Sequence, residues 1–276
     1  MDAGPGSGRR AVRPAIAVLL TLALVGGCGD DLASSETVTA YFEAYASNDP
    51  DRHPEMLEAA QEGSPAHRFA AHHANVAMAR AADPDRPTEV RPGTMEVVGD
   101  MVRIAYGPDR DQTRGHADFA VDEQTGRLRS FSESLPAGAE RRVPVADTLS
   151  GGDGATVSVF DATVSLLSAR KPAWSPQLGI VLEVRSGDQP LRLNAEDRSL
   201  VTAPGDAPDG GATTTYRTAD GDAQVLHSVT GMTEVAADTT VVLLLVFEDV
   251  GLGGTVVLPI GSQGELIEAE IPVAGP

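Results

Sequence analysis

Three histidines stand within seven residues, His67, His72 and His73. Imidazole is a common zinc ligand, and two ligands on one helix are normally three or four residues apart. Here the spacings are five, six and one, and His67 and His72 lie about 140° apart around a helix axis. No cysteine or well-spaced carboxylate completes a set, so His72 and His73 read as straddling the edge of a packing face, and no metal is expected. Ser168-Ala-Arg-Lys171 matches the S-x-x-K of penicillin-recognising serine enzymes, whose serine opens a helix. This one ends a strand before Pro172 and lacks the S-D-N and K-T-G triplets. Gly251-Leu-Gly253-Gly254 follows a strand but precedes no helix, as a phosphate cradle requires. The acidic stretches 205–211 and Asp220-Gly-Asp222 lack calcium-loop spacing and read as turns. Neither a catalytic constellation nor a cofactor is expected.

The single cysteine, Cys28, has no partner for a disulfide. Before it come Arg9, Arg10 and Arg13, the apolar run Ala15 to Val25, and the small pair Gly26-Gly27. Eleven residues fall short of the about 20 needed to span a bilayer, so residues 1–27 read as a removable export signal. The hydrophobic residues that follow a twin-arginine motif are missing, which favours the general secretory route.

The elements that position these residues follow from periodicity. After a tether over 28–33, Ser34 or Ser35 can cap a helix whose Val38, Tyr41, Phe42 and Tyr45 form one stripe. A short helix is expected around 54–61. Another begins at Ser64-Pro65 and presents Phe69, His73, Val76 and Ala77. From residue 88 the period becomes two, with Val102, Ile104 and Tyr106 alternating, then Ala117, Phe119 and Val121. Residues 34–134 therefore read as an α+β domain, helices packed on an antiparallel sheet. A Gly/Pro-rich linker is expected over 135–154. Residues 155–276 read as an all-β sandwich with strands at 156–167, 178–184, 191–193, 199–202, 213–216, 224–229, 239–247, 255–259 and 265–271.

The chain carries 40 acidic against 21 basic residues. Without residues 1–27 the formal charge is -21. Such a surface repels phosphates, so no nucleic-acid partner is expected.

Val25-Gly26-Gly27-Cys28 resembles a bacterial lipobox. The resemblance implies cleavage between Gly27 and Cys28 and a diacylglyceryl group on the Cys28 thiol. That would hold the protein on the outer face of the cell membrane. Residues 34–134, through the Ser35 to Ala46 helix and the strands ending Arg127-Leu-Arg-Ser-Phe-Ser, are similar to the nuclear transport factor 2-like (SnoaL-like) cone of exported actinobacterial proteins. Residues 155–273, through Ser228 to Val250, resemble the immunoglobulin-like domain of unknown function at the C-terminus of bacterial lipoproteins.

Cones of this type can host isomerases with an Asp base and a Tyr donor. Asp118, His116, Tyr41, Tyr45 and Tyr106 are present, but alternation with Ala117 and Phe119 turns Asp118 to solvent. The expectation is a non-enzymatic, lipid-anchored envelope protein that binds an envelope protein or another component. The alternative is a carrier or sensor of a small apolar ligand or lipid, with Tyr41, Tyr45, Phe69, His73 and Tyr106 lining its pocket.

Overall fold

The computed structural model describes residues 32–83, 92–107, 112–134, 141–150, 154–193 and 213–276. The export signal, Gly27, Cys28, the strand expected at 199–202 and the acidic stretch 205–211 lie outside the described residues.

Ser35 and Ser64 cap the two long helices, their side chains accepting from the N–H groups of Val38 (3.4 Å) and His67 (3.2 Å). α1 (Glu36–Ser47) stops at Asn48, which takes the left-handed conformation at φ 52°. α2 (His53–Ala59) and α3 (Pro65–Ala81) follow. Then come β1 (Thr94–Val98), β2 (Met101–Tyr106), β3 (Gln112–Val121), β4 (Leu128–Ser134) and β5 (Arg142–Pro144), an antiparallel sheet in that order. Tyr41, Phe42, Phe69, Ile104 and Phe131 are buried together where the helices meet this sheet.

The rest of the described chain is antiparallel β-structure consistent with a sandwich. Its strands are β6 (Thr156–Val159), β7 (Ala162–Arg170), β8 (Gln177–Arg185), β9 (Leu191–Leu193), β10 (Thr215–Arg217), β11 (Ala223–Val225), β12 (Ser228–Thr230), β13 (Glu234–Val235), β14 (Thr240–Glu248), β15 (Gly254–Ser262) and β16 (Glu265–Val273). One sheet runs β12-β14-β8-β7-β6 and the other β11-β10-β15-β9-β13, with β16 paired along β15. Leu182, Val184, Leu243, Leu245, Leu258 and Ile260 fill the space between them.

Three local expectations are corrected. The strand expected over 156–167 is two strands, because Phe160 turns left-handed at φ 55° and starts a tight hairpin. The strand expected over 224–229 breaks at buried Leu226, and its halves β11 and β12 join different sheets. The expected linker is ordered structure over 141–150: β5 extends the first sheet, and Val145 and Leu149 enter the helical core. Residues 148–150 also pair with β7. Ser150 N–H donates to Ala169 O and Lys171 N–H to Thr148 O, both at 2.9 Å.

α3 is buried on two faces. Ala66, Phe69 and Ala70 meet its own sheet. His72, Asn75, Val76 and Ala79, spaced i, i+3, i+4 and i+7, form a second stripe. Val76 and Ala79 pack on Val181, Leu244 and Val246 of the sandwich.

Candidate functional site

A cleft of about 510 Å³ opens where α1, α3, β2 and β3 approach the sandwich. Its walls include Tyr45, His73, Tyr106, Arg114, Arg170 and Trp174.

Register explains how Arg114 comes to be there. Val102 and Ile104 of β2 are fully buried, and their cross-strand partners on β3 are His116 and Arg114. Opposed residues share a face, so both basic residues point toward the helices. Further along, Asp118 adopts φ 53° and the β3–β4 register shifts between Ala117 and Ala120. This bulge changes the phase of the strand. Extending the Ala117/Phe119 alternation backwards therefore places Arg114 and His116 on the wrong face. Asp118 itself points outward, as expected, and binds Arg142 at 2.5 Å.

Arg114 donates from Nη1 to the Tyr45 hydroxyl at 2.8 Å. Its guanidinium also lies 4.6 Å from the centre of the Tyr106 ring and 4.3 Å from that of Trp174. Burial would lower its proton affinity, but the Tyr45 and Tyr106 oxygens outweigh that and hold it firmly cationic. Among the described residues no carboxylate forms an ion pair with it.

Deeper in, Arg170 of β7 packs over Phe69 at 4.6 Å and forms a buried ion pair with Glu133 of β4. The other Glu133 oxygen accepts the Ala173 N–H at 3.1 Å. Ser168 Oγ lies 3.0 Å from His72 Nδ1 and accepts from Asn75 at 3.1 Å. The Ser168–His72 pair has the spacing of a nucleophile and base. However, burial, with Arg170 and Arg80 nearby, pushes His72 down to about 3. That removes the basicity a general base needs near neutrality. The contact instead ties α3 to β7.

His73 is also driven well below its ordinary value, by burial first and then by Arg170. Its Nε2 and the Trp174 Nε1 are buried without hydrogen-bond partners among the described residues. His116 is fully buried among Phe42, Tyr45 and Phe131, and burial with Arg170 and Arg114 pushes it down to about 3.

Of the five expected lining residues, Tyr45, His73 and Tyr106 reach the cleft. Tyr41 and Phe69 are fully buried core, with the Tyr41 hydroxyl donating to Ala66 O at 2.8 Å. The sequence reading missed Arg114, Arg170, Glu133 and Trp174. Trp174 carried one usable signal: it is the chain's single tryptophan and sits in a polar turn rather than an apolar strand. Among the described residues, no group of three or more His, Cys, Asp or Glu is placed to hold a metal. None of their helices is long and apolar enough to cross a membrane.

No protein-family model matches the chain, and no curated protein matches it. Among solved structures it is similar to the crystal structure of the yeast GGA1 GAE domain, at 10% identity and a TM-score of 0.25. The match covers 44% of this chain and 98% of that one, and a likeness so slight carries no argument about fold or function.

Proposed function

We propose that this chain is a lipid-anchored, non-catalytic protein of the bacterial cell envelope that holds a small envelope component in the cleft between its helical half and its sandwich. The address rests on the lipobox-like 25–28 stretch, whose Cys28 would carry the lipid. The helices packed on β1–β5 support reading 34–134 as a nuclear transport factor 2-like cone. The paired sheets support reading the C-terminal part as an immunoglobulin-like domain.

The cleft carries the binding reading. Its volume is in the range of small-molecule sites, and its walls combine aromatic rings with a few polar groups. This favours the carrier or sensor over a pure protein adaptor, but it relocates the ligand. Tyr41, Phe42 and Phe69 fill the helical interior themselves, so the ligand would sit at its mouth.

Native mass spectrometry of protein gently extracted from its own membranes tests both parts. The expected mass is an acylated chain beginning at Cys28, plus a small non-covalent adduct. A bare mass with co-purifying proteins would replace the carrier by an adaptor, and an unacylated N-terminus would overturn the address. Replacing Cys28 with Ala should release the protein from membranes or leave the precursor unprocessed.

A further inference from the structure

Resting on the cleft as a ligand site, we propose that its ligand is an organic carboxylate with an apolar or aromatic body, and that Arg114 receives the carboxylate head.

Three independent observations converge on this assignment. The first is charge. Arg170 is matched by Glu133, whereas Arg114 has no carboxylate partner among the described residues. The cluster Arg114, Arg170 and Glu133 thus keeps one positive charge, in a chain whose formal charge is -19. A local cation facing a cleft in so acidic a protein selects an anion, and Arg80 lines the same cleft.

The second is geometry. The Tyr106 and Trp174 rings lie 4.6 and 4.3 Å from the guanidinium carbon, and Tyr45 accepts from Nη1. That one hydrogen bond uses a single N–H of the guanidinium fork, and a planar carboxylate can meet such a fork with paired hydrogen bonds.

The third is the set of unused groups nearby. His73 Nε2 and Trp174 Nε1 have no partner among the described residues, although both residues line the cleft. Buried polar atoms are nearly always satisfied, so a cluster of exceptions beside a cleft marks a place for further partners. The same walls offer Val76, Leu244, Val246 and the aromatic rings to an apolar body.

Trp174, the chain's single tryptophan, makes the site optically addressable. The test titrates the full mature chain in detergent with 3-phenylpropionate, its uncharged amide and inorganic phosphate, following Trp174 fluorescence. The acid should bind at least about tenfold more tightly than the amide, the worth of a charge-assisted hydrogen bond. Phosphate should bind more weakly than the acid. Arg114→Gln should weaken the acid by about tenfold and leave the amide unchanged, and Arg114→Lys should fall between.

The acid–amide comparison needs no variant and stands even if Arg114→Gln folds poorly. Equal binding of acid and amide overturns the assignment, and so does phosphate binding as tightly as the acid. A silent titration with an adduct still retained in native mass spectrometry overturns the carboxylate alone. A silent titration with no adduct removes the proposed binding function as well.

Discussion

The two halves of the molecule bury side chains equally well but with different chemistry. Between the sandwich sheets the interior is aliphatic, with Tyr216 and Phe247 the only buried aromatic rings among the described residues there. Under the helices, Tyr41, Phe42, Tyr45, Phe69, Phe119 and Phe131 pack with His116, Glu133 and an arginine reaching in from β7. An aliphatic core needs only volume and shape. A core that also holds charges must satisfy each of them, and breaking one partner is costly. Stability alone gives little reason to keep such groups, because well-packed apolar replacements are often as stable. The contrast therefore makes the helical half the place where a proposed function can be tested apart from packing.

The largest expected effect breaks this contrast directly. Arg170→Met strands the Glu133 carboxylate and should cost about 3–5 kcal/mol in urea unfolding. Adding Glu133→Leu should restore most of that stability. A double variant as unstable as the single one would mean that the pair is kept for stability after all. Next in size, Phe69→Ala should cost about 3–5 kcal/mol and Leu243→Ala about 2–5 kcal/mol. The two cores are thus equally intolerant of cavities, and a much smaller loss at Phe69 would show that the helical interior can accommodate a void.

Acid should also separate the halves. His72, His73 and His116 all have folded-state proton affinities below the ordinary value, chiefly through burial. The unfolded chain takes up protons first as the pH falls, so their contribution is intact above about pH 6.5 and lost as the pH falls further, toward about 3 for His72 and His116. Each can account for up to about 1.4 kcal/mol per pH unit within that window. Urea melts at pH 7 and pH 4.5 should show the loss, and His116→Phe should reduce it. Smallest of all, Asp118→Gly should change stability by about 0.5 kcal/mol or less, because the exposed ion pair it removes is worth little and glycine suits a positive φ. A large loss there would show that the Arg142 contact controls the bulge.

Much of this architecture was legible where one physical signal dominated. Ser35, Asn48 and Ser64-Pro65 mark helix ends by capping chemistry, and β14 shows in the apolar run Val241 to Phe247. The candidate site was harder to read for three reasons. The bulge at Asp118 reverses the phase that alternation assumes. The second stripe of α3 contains His72 and Asn75, which no hydrophobic pattern would select. Arg170 and Glu133 look like ordinary strand residues until the two halves are brought together, and a separation of 37 residues leaves no local trace. Recognition by period works within an element, whereas this cleft is made between elements.

The pairing of residues 148–150 with the end of β7 has a thermodynamic consequence. Two domains on a slack tether melt as two events, each with its own midpoint. Here the connecting chain is a rung in both structures: Leu149 sits in the helical core and also bridges to Arg170. Unravelling either side removes backbone partners from the other. Calorimetry should therefore record one cooperative transition for the helical half and the sandwich together, so that a heat-weakened sandwich takes the cleft down with it.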